Sequence, residues 1–526
     1  MVPKQLLKGK TVQYKKVNYA NFLNGINVDY DQHILPINYS TNTYNFSFLS
    51  GALTTGLGIS DIHFPNTLSD TDKSTRTVDL SNYSIKATWL YRRENTARST
   101  SFTDFYYYNQ LIFQTTDGNF YSLDICNSQD YIRKINNINL NHIPTIINYN
   151  LNGEDSILIC SPSGMWVWDY TKTTGAVKID NAPKIKNMCL HYERLFATVD
   201  DDRNEIWFSD DLDPTNWNVS LEEAGFIKFN DNRGIVNRVL SFNDYVYVFR
   251  EYGISRITAY ANQSEFNVAQ LFVSSGKIYG GSVCECGDKI IMLTANGLYA
   301  FDGYNTTKIN LNIDKLFLGT QNIMCQSCYC NGKYYLACNL NFNDDKKIMC
   351  ENNTNYVNNA LLELDLETKN LNIMRGIDIR NLNAVFDDKV NKVIVCYYDG
   401  TSYKIGELGN FGKVFTTVLP KCWQSPFSDF GYPEKYKIIK DIYLKSDDAV
   451  TITIRTEKLS KSYTLNPKDG VVHLRTLIKG KHIAIDFESN SDSVKISTPT
   501  VIMGLVWSIL VKLLMIDSTH FNKIRE

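Results

Sequence analysis

The stretch "DKIIMLTANGLYAFDG", residues 288 to 303, sets the pattern for the middle of the chain: two short apolar runs divided by Asn296-Gly297. Alternation along 290 to 301 puts Ile290, Met292, Leu298 and Ala300 on one face and Ile291, Leu293, Tyr299 and Phe301 on the other. Both faces are apolar, which is the signature of strands covered on two sides rather than of a half-wet sheet. Asn-Gly tolerates the two positive φ values of a two-residue type I′ hairpin, so this stretch predicts strand, tight turn, strand.

The unit repeats. Comparable stretches occupy 109 to 124, 155 to 169, 244 to 257 and 391 to 405, and the turn glycines are Gly118, Gly164, Gly253, Gly297 and Gly400. Their separations are 46, 89, 44 and 103, so two gaps are about double the others. Weaker copies fill them: "RLFATVDDDRNEIWFSD" at 194 to 210, and "GKYYLACNL" with "NALLELDLE" after an inserted loop at 332 to 367. Seven hairpins in six steps averaging 47 residues predict an all-β fold, a β-propeller of about seven blades over 85 to 430.

The flanks read differently. Residues 1 to 84, whose first 80 are rich in Asn, Thr, Ser and Tyr, are expected to form an extended N-terminal arm. Residues 431 to 526 are expected to form a small C-terminal β domain with an apolar tail, because the pattern there alternates with period two and Asp447-Asp448 and Lys468-Asp469-Gly470 supply turns. Helix is confined to "NLNIDKLFLG" at 310 to 319, with Ile313, Leu316 and Phe317 on one side.

Composition narrows the classes. A chain of 526 residues is long enough for several domains, and 54 basic against 56 acidic side chains leave a net charge of −2, with no global field for nucleic acid or anionic membrane. The twelve cysteines follow no regular framework and no apolar leader follows Met1, so synthesis in a reducing cytosol is expected. The tail "VIMGLVWSILVKLLMI", 501 to 516, holds Lys512 and is shorter than the ~20 residues of a spanning helix. It reads instead as a buried terminal element or a subunit contact. Lys4, Lys8, Lys10, Lys15 and Lys16 make the start of the chain basic, and this segment is expected to dock on a neighbouring subunit rather than on phosphates.

Candidate chemistry is sparse. In "WFSDDLDPTNWN", 207 to 218, a calcium loop would use Asp211 and Asp213 but would meet Asn216 where the turning glycine belongs, with no distal glutamate. The stretch starts like the S-x-D-x-G-x-x-W turn of sialidase-type propellers, with Ser209 and Asp211, then departs at Asp213 and Trp217. A proline turn that lets Trp217 fold back, with Asp210, Pro214 and Trp217 in fold roles, is the stronger reading. The acidic loop Asp200, Asp201, Asp202 is a second weak calcium candidate. Cys325, Cys328 and Cys330, with Cys284 and Cys286, offer one C-x2-C pair where a zinc ribbon needs two. The histidines at 33, 63, 142, 191, 473, 482 and 520 are scattered, and Trp168-Asp169 is a single "WD" without its Gly-His partner. No catalytic, cofactor-binding or metal residue is nominated, and no cofactor is expected.

The 207 to 217 turn, "GLYAFDGYNTTKINLNIDKLF" at 297 to 317 and the alternating C-terminal module together resemble the tail-hub, or stabilisation, proteins of short-tailed bacteriophages, to which the muzzle protein of crAss-like phages is similar. The resemblance covers roughly residues 85 to 500 as an order of elements. It implies a non-enzymatic, structural virion protein: a six-fold ring of identical subunits below the portal and adaptor rings, synthesised in the host cytoplasm. Such a ring closes or stabilises the DNA channel without sequence-specific DNA binding and without a membrane span. The rival reading is a carbohydrate-binding or glycan-hydrolysing propeller, either sialidase-like or a depolymerase.

Overall fold

The computed structural model describes residues 14–48, 51–65, 75–94, 107–125, 132–200, 204–221, 223–260, 262–342, 344–386 and 391–507. The chain divides into two compact units: residues 59–310 with 314–409, and residues 1–58 with 311–313 and 410–526.

The larger unit is a β-propeller. Among the described residues it has seven antiparallel blades, at 85–135, 145–179, 185–228, 236–273, 284–308, 326–375 and 378–409. The first six are four-stranded in simple sequence order. In the seventh, three strands are joined by the strand carrying Ile59 and Ser60, so a segment from before the first blade completes the last. The first strand of each blade lies against the first strand of the next, and blade 7 returns to blade 1; between blades 4 and 5 the contact runs through Gly280–Ser282. First strands in mutual contact are the inner strands of a closed ring.

Apolar layers between blades explain the doubly hydrophobic strands. Phe113, Leu111 and Ile85 of blade 1 share a core with Val385, Ile394 and Cys396 of blade 7, and Phe64, Val78 and Leu80 join them. Ile290, Met292 and Phe301 of blade 5 pack with Tyr247, Phe249 and Ile254 of blade 4. Register corrects the expected faces. Ile290 pairs with Phe301 and Met292 with Tyr299, while Ile291 faces Ala300 and Leu293 faces Leu298. Directly paired residues share a face, so Leu298 and Ala300 lie with Ile291 and Leu293.

The cause is the turn. Thr294 pairs with Gly297 across Ala295-Asn296, and Gly297 alone has positive φ, +108°. The expected type I′ pair at Asn296-Gly297 is therefore displaced by one residue. Thr294 Oγ1 accepts the Asn296 N–H at 3.0 Å, and a Cβ on Gly297 would stand 2.4 Å from Asp314 Oδ1. All five repeat glycines do occupy the same turn, between the second and third strands of their blades. The paired positive φ values fall instead between first and second strands, at Asn152-Gly153, Asn243-Asp244 and Asn331-Gly332.

Four inner strands carry a bulge, after Ile85, Ile185, Val236 and Ile379. Next to these bulges, asparagines bond across blades: Asn187 Oδ1 accepts the Val239 N–H at 3.0 Å, and Asn381 Oδ1 accepts the Thr88 N–H at 3.1 Å. A bulge frees backbone groups from the ladder, and a buried N–H needs a partner. The insertion in blade 6 is held by Arg375, which bonds Asp344 at 2.7 Å and Glu351 at 3.0 Å and lies over the Phe342 ring. The short helix is Asp314–Phe317, with Leu316 and Phe317 buried as the pattern expected.

The smaller unit is a sandwich of two sheets around one core. One sheet takes Phe46–Ser47, Leu53–Thr55, Lys495–Trp507, Lys435–Ser446 and Val471–Gly480, with Tyr14–Asn18 also paired to Lys495–Trp507. The other takes Asn42–Tyr44, Lys421–Gln424, Ile483–Ser489, Val450–Thr456 and Ser460–Leu465. Here Asp469-Gly470 does form a tight turn with two positive φ values, and Lys468 and Val471 exchange backbone bonds across it.

The structure draws the boundaries differently from the sequence reading of 1–84 as an arm, 85–430 as propeller and 431–526 as a separate domain. Tyr19, Phe22, Phe46, Phe48 and Leu53 are buried in the sandwich core with Trp423, Phe487 and Val501, so the described residues 14–48 and 51–58 are strands and plugs of that domain. Residues 59–84 belong with the propeller, which ends near Gly409. The apolar tail likewise enters the sandwich as far as it is described: Val501 and Met503 are buried in an internal strand, and residues 508–516 lie outside the described residues. No helix among the described residues is long and apolar enough to cross a membrane.

Candidate functional site

Chemistry-bearing side chains converge at one end of blades 3 and 4, where first-to-second and third-to-fourth strand connections meet. Two clefts open there. One, of about 790 Å³, is lined by Phe208, Gly225, Phe226, Asn262 and Gln263 among others. The other, of about 510 Å³, is lined by His191, Tyr192, Glu193, Arg194, Asp211 and Ala259.

The 207 to 218 stretch borders the second cleft through Asp211. Glu205–Phe208 is the third strand of blade 3. Ser209 is fully buried; its hydroxyl accepts the Leu195 N–H at 3.0 Å and its carbonyl accepts Arg194 Nη1 at 2.8 Å. Asp210 accepts Asn216 Nδ2 at 2.7 Å, and its N–H donates to the Asn216 carbonyl at 2.9 Å. Asp213 accepts the Thr215 N–H at 2.9 Å and the Thr215 hydroxyl at 2.6 Å. These are Asx-type bonds that close a turn, and Trp217 folds back to 2% exposure in the layer between blades 2 and 3. Asp211 stays outside, 46% exposed and 3.9 Å from Arg194 Nη2.

Arg194 sits behind the turn. Its Nη1 also donates to the Glu223 carbonyl at 2.5 Å, and its guanidinium packs over the Phe208 and Phe266 rings. His191 ends the inner strand and is 3% exposed. Its Nδ1 lies 2.9 Å from Ser241 Oγ, while Nε2 is buried without a hydrogen-bond partner. Burial lowers its pKa against the opposing pull of Asp244, so the ring is held neutral. Tyr192 follows at φ +50° in a two-residue turn and is 56% exposed, its ring 6.2 Å from that of Tyr260.

Other sequence candidates take structural places. Asp169 closes an Asx turn, accepting the Thr171 N–H at 2.9 Å, so "WD" is a strand end. Cys325, Cys328 and Cys330 are buried, and burial raises the thiol pKa of each. Cys286 Sγ points to the Cys284 carbonyl, 3.5 Å away. No group of three His, Cys, Asp or Glu able to hold a metal occurs among the described residues. Asp201 and Asp202 lie outside them, as do Lys4, Lys8 and Lys10; Lys15 stands over the Tyr432 ring. Sequence spacing missed two convergences. His33 and His482 meet edge to face at 5.6 Å in the sandwich, and His191 meets the 209 to 211 turn in the propeller. The turn of blade 3 does carry a signal for the second: Tyr192-Glu193 stands where blades 2, 4 and 6 use Asn-Gly or Asn-Asp.

No family model matches the chain, and no curated protein matches it. Among solved structures, similarity extends to the computationally designed Ika8 protein, at 10% identity over 62% of this chain and 96% of that one, with a TM-score of 0.35. PorZ of Porphyromonas gingivalis, described as an essential bacterial surface component of the type-IX secretion system, is 11% identical, with 70% of this chain and 45% of that one aligned and a TM-score of 0.35. BBS1N in complex with ARL6DN is 9% identical over 62% and 94% of the two chains, with a TM-score of 0.38.

Proposed function

We propose that this chain is a structural, non-enzymatic subunit of a short-tailed phage virion, of the tail-hub or muzzle kind. In this reading the subunits assemble as a six-fold ring below the portal and adaptor rings. The observation that supports it is that the residues carrying the resemblance are spent on the fold: Ser209 ties the stretch to Leu195, Asp210 and Asp213 close a turn, and Trp217 fills an inter-blade layer. A propeller braced in this way is a rigid part. The near-neutral charge fits a channel through which DNA passes without being held.

Ring symmetry makes the contact between subunits heterologous, closing after a fixed number of copies. Light scattering and electron imaging of the purified full-length protein, alone and with the adaptor, test it. A closed ring is expected. A protein that stays monomeric at high concentration even with the adaptor present overturns the assignment.

A further inference from the structure

We propose that the cleft formed by His191, Tyr192, Glu193, Arg194 and Asp211 is a binding site for a neutral saccharide. The proposal goes beyond the assembly reading and does not depend on it. Three observations converge. First, Nε2 of His191 is a buried polar atom without a partner, on a ring that lines the cleft. A neutral imidazole offers one donor or one acceptor there, and leaving such a group unsatisfied is costly. Second, Tyr192, which lines the cleft, exposes its ring 6.2 Å from the exposed ring of Tyr260, the residue after the lining Ala259, with the two tilted by 36°. Tyr192 holds φ +50° in a turn whose counterparts in blades 2, 4 and 6 are Asn-Gly or Asn-Asp. A bulky residue in that conformation is strained, and it is the residue whose ring is presented. Third, the polar rim is carboxylate: Glu193 and Asp211 line the cleft, and Asp244 accepts a long bond of 3.4 Å from the Tyr192 hydroxyl.

Charge and geometry select the ligand. Arg194 is buried with its Nη1 shared between two backbone carbonyls and its Nη2 facing Asp211, so the carboxylates dominate the opening and disfavour a phosphate or another anion. The described carboxylates do not gather into a metal-binding group. A sugar ring matches what remains: its C–H face lies on an aromatic platform and its hydroxyls donate to carboxylates, while Nε2 of His191, buried under the cleft floor, would gain a partner only as the floor opens to a hydroxyl. A volume of about 510 Å³ lies within the ~300–1,000 Å³ range of small-molecule sites.

The test is saturation-transfer NMR on the full-length protein with neutral gluco-, galacto-, manno- and N-acetylglucosamine trisaccharides, and with inorganic phosphate and Ca²⁺ as ionic controls followed by protein chemical shifts. Transfer to the C–H face of at least one trisaccharide is expected. Affinity should fall at least tenfold in Tyr192→Ala and in Tyr260→Ala, whose exposed side chains leave the fold intact. His191→Phe, which removes Nε2 together with the Nδ1 contact to Ser241, should weaken binding about fivefold. No transfer from any trisaccharide, or transfer unchanged in Tyr192→Ala, overturns the proposal. Saturable binding of Ca²⁺ at the cleft, lost in Asp211→Asn, or of phosphate there, kept or strengthened in Asp211→Asn, overturns it in favour of an ionic ligand.

Discussion

The propeller and the sandwich bury their strands by opposite means. In the propeller a strand such as Ile290–Thr294 is buried at every position, because a neighbouring blade covers each face. In the sandwich Val471–Gly480 alternates exposed and buried throughout, because one face meets the core and the other meets water. The units also differ in reach. Each of the first six blades closes on its own hairpins within about fifty residues, and the seventh adds the distant strand at Ile59 and Ser60, whereas the sandwich pairs Lys15 with Met503 and seats Phe22 against Trp423 and Phe487. Contacts between chain ends carry a larger closure cost before they are rewarded. The propeller is thus a sum of local units, and the sandwich a domain held by its most distant segments.

The sharpest break of this comparison pairs two core truncations. Trp217→Ala in the propeller and Phe22→Ala in the sandwich should each cost ~3 to 5 kcal/mol. Calorimetry should show each lowering one transition and leaving the other in place; a common shift of both would mean that the units unfold as one.

The second test separates the units by pH. Lys421, buried in the sandwich with Nζ bonded to the Ser491 carbonyl at 2.5 Å, has its pKa pushed down from 10.5 to about 8 by burial. Its charge opposes folding, so the unfolded chain binds more protons between those values. Sandwich stability should therefore rise from pH 8 to 10.5, by on the order of 3 kcal/mol, and the rise should vanish in Lys421→Met. His191 acts on the propeller from the acid side. Its pKa is lowered from 6.5 by burial, so below that pH the unfolded chain takes up a proton that the folded ring resists, and the propeller transition should fall as pH drops. Denaturant titrations across pH check both.

A smaller effect probes the blade-to-blade bonds. Asn187→Ala strands the buried Val239 N–H and should cost about 1 to 3 kcal/mol in the propeller transition alone. The smallest expected change is Asp211→Asn, within about 0.5 kcal/mol, since that side chain is 46% exposed and outside the turn's bonds. A large loss there would return the 207 to 218 stretch to a metal or ligand role as a stability element.

The sequence by itself determined what is local. Blade count, the common turn of Gly118, Gly164, Gly253, Gly297 and Gly400, the short helix at Leu316 and Phe317, and the turn role of Asp213 and Trp217 all follow from spacing, two-sided hydrophobicity and turn chemistry within a few residues. What only the tertiary structure decided is whatever joins residues far apart or depends on one-residue register. Moving the turn to Ala295-Asn296 changed which side chains share a face. The N-terminal segment read as an arm because Tyr19 and Phe22 are single plugs and the alternation of Tyr44, Phe46 and Phe48 is too short to stand out, while their partners lie some 400 residues later. The cleft was illegible for the same reason. His191 lies next to Tyr192 in sequence, but Asp211, Ser241 and Tyr260 reach it only when two blades stack, and no spacing encodes the packing of one sheet on another.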